Sequence, residues 1–435
     1  MSFANHLSHK VKNIHHALEA SEFEGVVIAS GSVLYRFRDD VNYPFSVNAY
    51  FRECLPQLNQ PDCFLVFRRD SDRPTLLLKV FRDFWHSPPE PLPDEVAQSV
   101  EVVEYESEQE LRRLLPKDRG LAFIGARESC PWTAEASNIN PEGILNVIDY
   151  QRACKTPFEL DLMRDANRNA IRGHKAAEQA FRQGLSEYEI HMTYLSAVGC
   201  REEELPYGNI VALNQHASVL HHMVLDTQRP KMSRSFLIDA GAQCLGYAAD
   251  ISRTYMSNST GDGYDGFRAL IDGVESLQQR LVESMRPGVD FRELNAEAHR
   301  LLASLLVSQD LLTVSAEEAY DLGVTRAFLP HGLGHLIGVQ VHDQGGHLAS
   351  PNGQLRKPHP EFPSLRCTRT AEENMVFTVE PGLYFIPMLL QPWLDKGNIL
   401  NARLLDQLMP FGGIRIEDNV VVTENGVENL TREVF

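Results

Sequence analysis

The chain has 435 residues, 43% of them hydrophobic, and a formal charge of −18 from 41 basic and 59 acidic side chains. That length is about three times the ~150-residue prior for one domain, so two domains with sizeable cores are expected. The acidic balance, with no basic run to follow phosphates, argues against nucleic acid and anionic membrane as partners. The longest apolar runs are strand-sized, well short of the roughly 18–20 residues that span a bilayer, and residues 1–16 lack an apolar signal core. Seven cysteines, odd in number and without a CxxC, read as reduced thiols. The expected compartment is the cytoplasm.

From residue 25 to about 125, short apolar or β-branched runs (25–29, 63–67, 75–81) alternate with polar and helical stretches, 107–115 among them, as in a small α/β domain. The acidic, proline-rich stretch 87–94 is expected to be a loop. Thr156 as cap, Pro157 in the first turn and Glu159 three residues after the cap then open a long helix, and the domain boundary is placed near residue 155. Helices follow over about 157–183 and 186–199, then strands near 209–213, 235–241 and 247–256. Further helices are predicted near 264–285 and 290–306, and strands at about 375–386 and 413–423. Runs of helices interleaved with runs of strands favour an α+β sheet, helices on one side, over a Rossmann winding. The predicted class is α+β, with an α/β domain over 1–155 and a second domain over 156–435.

Five of the sixteen histidines (His331, His335, His342, His347, His359) crowd one short stretch, a density that suits a metal site. His6, His9, His15, His16, His174 and His299 sit in polar or helical contexts and read as solvated or capping. Carboxylates close three strand-like apolar runs: Phe236-Leu-Ile-Asp239, Val376-Phe-Thr-Val-Glu380 and Ile414-Arg-Ile-Glu417. An ionised carboxylate in a dry setting is costly unless it is paired or ligates a cation. Asp250 follows Asp239 across a glycine-containing turn, so a hairpin can bring both to one face. Each alone reads as a salt-bridge partner, a strand-end cap or a surface acid; together they ask for a shared cation. Oxygen-rich ligation with an imidazole suits Mn²⁺, Co²⁺ or Fe²⁺ better than structural zinc. Four carboxylates can neutralise two divalent ions, and a hydroxide bridging them is the apparatus of metal-assisted hydrolysis. Strand periodicity puts Arg415 on the face of Glu417, as an anchor for ligand carboxylates, and Thr378 on the face of Glu380.

The stretch His331-Gly-Leu-Gly-His335-Leu-Ile-Gly-Val-Gln-Val-His342-Asp is flanked in order by four other motifs on the strand-end carboxylates and one on His221. These are Val219-Leu-His221, Leu237-Ile-Asp239-Ala-Gly, Ala249-Asp250-Ile-Ser-Arg-Thr, Thr378-Val-Glu380-Pro-Gly and Arg415-Ile-Glu417-Asp. Over about residues 205–425 the chain thereby resembles the bacterial Xaa-Pro dipeptidases (prolidases) of the dinuclear pita-bread metallopeptidase family, M24. The resemblance implies a pita-bread catalytic domain that hydrolyses the amide before a C-terminal proline by a metal-bridged hydroxide. It implies two divalent ions per subunit, chiefly Mn²⁺, with Co²⁺, Fe²⁺ or Zn²⁺ as substitutes. Their ligands would be a bidentate Asp239, His335, Glu380, and Asp250 and Glu417 as bridges, Glu380 doubling as general base.

By the same likeness His221, His331 and His342 line the pocket, His221 and His342 near the substrate carbonyl and the developing oxyanion. Arg366 would grip the substrate's C-terminal carboxylate with its bidentate fork. The N-terminal half resembles the longer prolidases of the organophosphorus acid anhydrolase type, through residues 37–48 and 83–86. That likeness implies a homodimer in which Asp40 reaches the partner's site to bind the α-amino group. Trp85 and Tyr207 would wall the pocket, and organophosphate triester hydrolysis would be a secondary activity. His222 and Phe291 depart from the aromatic hydroxyls that relatives carry at these positions. Two competing readings remain: an aminopeptidase P acting on longer Xaa-Pro peptides, against which Arg366 argues, and a metal-free pita-bread binding protein.

Overall fold

A computed structural model describes every residue of the chain except 1, 83, 86–89, 116–119, 132–137 and 434. It divides into two compact units, Met1–Leu160 with Leu348–Leu355, and Asp161–His347 with Arg356–Phe435.

The first unit runs α1 (Phe3–Glu19), β1 (Gly25–Ala29), α2 (Ala49–Cys54), β2 (Phe64–Arg68), β3 (Ser71–Lys79), α3 (Asp94–Ser99), β4 (Glu101–Tyr105), α4 (Glu108–Leu114), β5 (Leu121–Ile124) and α5 (Glu142–Arg152). Its sheet has the order β4-β3-β2-β1-β5, with β1–β5 and β3–β4 parallel and the inner pairs antiparallel. Period-two alternation divides the core. Val26, Ile28, Leu65 and Phe67 pack under Phe3, Leu7, Val11 and Ile14 of α1, whose helical spacing makes one apolar stripe. Val27, Ala29, Phe64 and Val66 face the other way, onto Leu111 and Leu115. Lys10 is buried between Glu53 and Glu159, a paired charge rather than an orphan. The helix expected at 107–115 carries a full capping box, Ser107 with Glu110.

The second unit contains α6 (Pro157–Arg182) from Asp161 onward, α7 (Glu187–Val198), β6 (Ile210–Leu213), β7 (Ser235–Asp239), β8 (Gln243–Cys244), β9 (Tyr247–Ala248), β10 (Ser252–Met256), α8 (Tyr264–Ser284), α9 (Phe291–Ser308), α10 (Ala316–Leu322) and α11 (Thr325–Phe328). Then come β11 (Val376–Val379), β12 (Gly382–Tyr384), α12 (Pro387–Lys396), α13 (Ala402–Leu408), β13 (Gly413–Arg415), β14 (Asp418–Thr423) and β15 (Gly426–Asn429). α6 opens as the sequence predicts: the Thr156 N–H donates to Glu159 Oε2 (2.7 Å) and the Glu159 N–H to Thr156 Oγ1 (3.3 Å). Strands pair as β10-β7-β6, β11-β14-β15, β12-β13 and β8-β9, all antiparallel. Phe236 and Ile238 of β7 meet Phe181 of α6 and Tyr194 of α7. Asp239 therefore belongs to the opposite face of the strand, away from the helices.

Three long strands expected from sequence are each interrupted. The run 247–256 stops at residues 249–251, 375–386 at Glu380 and Pro381, and 413–423 at Ile416 and Glu417. Pro381 has no N–H for a ladder, and the Asp250 N–H leaves its sheet for Asn419 Oδ1 (2.9 Å). Asp239 is opposite Ser252, not Asp250, and the small β8–β9 ribbon intervenes, so the simple hairpin expected from their spacing is not what joins the two acids. His6, His174 and His299, expected to be solvated or capping, are buried. Their rings bond Thr156 and the Glu53 carbonyl, the Ala240 carbonyl, and Thr325 respectively. Burial pushes His174 down to about 3 and His299 to about 4, which leaves both neutral. Among the described residues no helix is long and apolar enough to cross a membrane, and all seven cysteines are free.

Candidate active site

Each carboxylate stands where a strand ends or breaks. Asp239 closes β7, Asp250 precedes β10, Glu380 lies between β11 and β12, and Glu417 between β13 and β14. His335 comes from the segment after α11, which presses against β11 through a bridge between Leu336 and Phe377. That approach requires Gly334, since a Cβ there would stand 2.1 Å from the Thr378 carbonyl oxygen. Thr378 clamps the segment from both sides: Oγ1 accepts the His335 N–H (3.0 Å) and its own N–H donates to the His335 carbonyl (2.9 Å).

The acids are braced by neighbouring hydroxyls and one guanidinium. The Tyr207 hydroxyl lies between Asp239 Oδ1 (2.8 Å) and Asp250 Oδ1 (2.5 Å). Ser252 Oγ donates to Glu417 Oε2 (2.6 Å) and accepts from Arg415 Nε (3.0 Å). Arg415, 5% exposed, spends its remaining nitrogens on Asp239 Oδ2 (2.7 Å) and the Tyr384 hydroxyl (2.8 Å). Tyr384 donates in turn to His331 Nε2 (2.8 Å), whose Nδ1–H is given to the Gly332 carbonyl (2.8 Å). Burial and Arg415 together push His331 down to about 3, so this ring is neutral.

The cluster is arranged for cations. Ligand atoms of Asp250, His335 and Glu417 lie within 4.8 Å of one another. His335 gives its Nδ1–H to the Leu336 carbonyl (3.0 Å), the proton being assigned from that bond, and turns Nε2 to Asp250 Oδ2 (3.6 Å) and Glu380 Oε1 (3.7 Å). Those gaps are too long for hydrogen bonds and match the roughly 3–4 Å between two ligands of one ion. Burial, with mutual repulsion, raises Asp239, pushes Glu380 up to about 7 and lifts Glu417 well above the carboxylate range. Asp250 alone is held low, because His335 and Tyr207 outweigh its burial, and the His335 pKa rises against burial for the same reason. Protons thus gather where divalent ions would displace them, and four carboxylates with one imidazole fit oxygen-preferring cations.

The outer residues fall into two groups. The His342 ring stands edge-on to His335, centroids 4.5 Å apart. Burial, the His335 charge and Arg366 push His342 down to about 4. Arg366 is exposed beside it, and His221, also exposed, is close enough to lower both His331 and His342. Asp40 and Trp85 belong to the first unit, where both are exposed, Trp85 leaning on Phe84 with centroids 4.7 Å apart. Asp83 and His86 of that segment lie outside the described residues, as do residues 87–89 of the expected loop. Phe291 is buried and stacks on Phe377 at 5.0 Å, so this departure from Tyr is a core contact.

The family model described as metallopeptidase family M24 matches residues 161–424, and that of the Xaa-Pro dipeptidase N-terminal domain matches 1–150. The chain belongs to metallopeptidase family M24. It is 43% identical over 435 residues to the Xaa-Pro dipeptidase of Xanthomonas axonopodis pv. citri (strain 306), covering 100% of this chain and 97% of that one. To the Xaa-Pro dipeptidase of Escherichia fergusonii it is 40% identical over 439 residues, covering 99% and 98%. Among solved structures, the low-pH form of aminopeptidase P from E. coli superposes with a TM-score of 0.74 at 23% identity, covering 100% of this chain and 96% of that one. The same enzyme with the inhibitor Pro-Leu gives 0.72 at 24%, covering 98% and 95%. The fold is thus the pita-bread fold, α+β with a separate N-terminal domain, as the sequence predicts. Two members of this M24 site escaped sequence reasoning, Ser252 and Tyr384. Tyr384 ends an apolar run and reads as a core ring; Ser252 lies within the Asp250 motif quoted above, which could have singled it out, but was read as an ordinary strand residue.

Proposed function

We propose that this M24 metallopeptidase is a Xaa-Pro dipeptidase, working through two divalent cations, Mn²⁺ first, held by Asp239, Asp250, His335, Glu380 and Glu417. The observation that carries the reading is the gathering of Asp250, Glu380 and Glu417 about His335, with Asp239 tied to Asp250 through the Tyr207 hydroxyl and with His342, itself near the exposed Arg366, edge-on to the imidazole. Such ions supply Lewis acidity at the scissile carbonyl and lower the pKa of water.

Glu380 takes the proton of the attacking water and returns it to the departing proline nitrogen. That nitrogen has no hydrogen of its own in the tertiary amide, so its departure as an amine requires the donated proton. Neutral His342, with His221, offers N–H groups to the carbonyl oxygen as charge grows there. Arg366 binds the substrate's carboxylate and so limits cleavage to dipeptides. The chain His331–Tyr384–Arg415 fixes Asp239, and Tyr207 spaces Asp239 from Asp250 while walling the pocket.

On the resemblance alone, residues 1–155 serve dimerisation and the pocket wall, Trp85 forms part of that wall, and Asp40 takes the substrate's amino group in a cytoplasmic homodimer. Triester hydrolysis at phosphorus is a side reaction of the same centre. The test is hydrolysis of Leu-Pro, Leu-Pro-Gly and Leu-Gly by chelator-stripped protein with and without Mn²⁺. Mn²⁺-dependent cleavage of Leu-Pro alone is expected. Cleavage of the tripeptide would move the assignment to an aminopeptidase P, and inertness toward all three would overturn the peptidase reading.

A further inference from the structure

A second convergence of ligand atoms lies outside the carboxylate centre. Glu187, in the first turn of α7, turns inward with its side chain 1% exposed. Its Oε1 is 2.8 Å from His216 Nδ1 and its Oε2 2.9 Å from His222 Nε2. The two rings stack 4.5 Å apart with 28° between their planes. Backbone N–H groups of Leu213 and Asp226 donate to the same oxygens at 2.8 and 2.9 Å. Burial opposes the charge of Glu187, but these four donors outweigh it and keep the carboxylate ionised. The three donor atoms lie within 4.8 Å of one another, and His216 is 36% exposed, which leaves an approach from solvent.

We propose that Glu187, His216 and His222 form a separate mononuclear site for Zn²⁺. In the metal-free chain each imidazole uses its proton on the carboxylate. Moving that proton to the ring's other nitrogen frees a lone pair on each ring beside the carboxylate, so that three donor atoms within 4.8 Å of one another become available to one cation. One nitrogen beside each carboxylate oxygen is the disposition of a bidentate carboxylate flanked by two imidazoles, a donor set that suits zinc. The carboxylate-rich centre prefers harder ions, so the two sites would sort cations by ligand chemistry. A bound Zn²⁺ would tie α7 to the segment between Leu213 and Asp226, which carries His221.

The test compares Mn²⁺-loaded wild type with a His216→Ala/His222→Ala double variant, each titrated with Zn²⁺ and desalted before elemental analysis. Wild type is expected to retain one more Zn²⁺ per chain, with Zn²⁺ binding at least about tenfold weaker in the variant. Equal Zn²⁺ counts in the two proteins overturn the proposal. The readout is a difference between chains sharing the same carboxylate centre, so it stands or falls independently of Xaa-Pro cleavage. Should the variant not fold, anomalous diffraction from wild-type crystals soaked in Zn²⁺ decides. A peak about 2.0–2.2 Å from both ring nitrogens is expected, and its absence overturns the site.

Discussion

Glu380 combines a proposed place among the cation ligands with an environment that, in the metal-free chain, pushes its carboxyl up to about 7, chiefly by burial. Replacing it by Gln keeps size and polarity but removes proton exchange, so Glu380→Gln is expected to lower kcat by on the order of 10²–10⁴. Near-normal turnover in a metal-loaded variant would remove Glu380 as the base. The raised pKa also makes metal-free stability depend on pH. Between about pH 4.5, the group's ordinary value, and about pH 7, its folded value, the native state holds a proton that the unfolded chain has released. The Glu380 contribution to stability therefore falls as pH rises through that window, and a cation that displaces the proton reverses this loss. The buried neutral histidines shift stability the opposite way over the same range, so the Glu380 contribution is read from the rise in melting temperature when Mn²⁺ is added to chelated protein, which should be larger at pH 7 than at pH 5. A second residue-scale expectation concerns Arg415, whose three bonds reach Asp239, Ser252 and Tyr384. Arg415→Met should weaken metal retention by about 10–100-fold in a chelator competition. The acids of this site were legible in the sequence because an ionisable group ending an apolar run is an anomaly. Tyr384 and the Glu187 pairing were not, since a tyrosine in a core and a glutamate in a helix's first turn are ordinary until long-range neighbours are known.

At the scale of elements, the five helices expected from sequence fall close to where capping and periodicity place them, because those signals are local: Thr156 with Glu159 is visible in four consecutive residues. Strand continuity was misread. Apolar runs such as 375–386 look unbroken, yet the breaks at Glu380–Pro381 and at Ile416–Glu417 are tertiary events, fixed by bonds to Leu333 and Ser252. These breaks release side chains from the pleat and let carboxylates from different sheets point to one place. Gly334 plays the corresponding part for His335. Gly334→Ala would force the segment off β11, and a cost of about 1–3 kcal/mol in denaturant unfolding is expected. Retained stability with normal metal content would show that the segment can relax around the added methyl.

For the whole molecule, a boundary near residue 155 was expected from the change of pattern and the compact units meet at Leu160 and Asp161, whereas a homodimer was inferred from likeness alone. The first unit exposes Phe37, Phe84 and Trp85 at 92%, 85% and 79%, aromatic surface that a partner chain would cover. Light scattering should therefore return twice the chain mass, and a monomer at micromolar concentration would remove Asp40 from the proposed site. Substrate length is the other molecular property: Arg366→Ala should raise KM for dipeptides more than for C-terminally blocked peptides, and equal effects would count against carboxylate recognition.

The proposed ligand set draws on distant parts of the chain. Its five members are scattered from Asp239 to Glu417, on segments brought together by sheets that pair across long stretches of chain. A polypeptide still being synthesised, or one cut by a protease before Glu417, carries only part of the set. Such a fragment cannot assemble the full cation centre, so hydrolytic activity would be withheld until the last strands have docked.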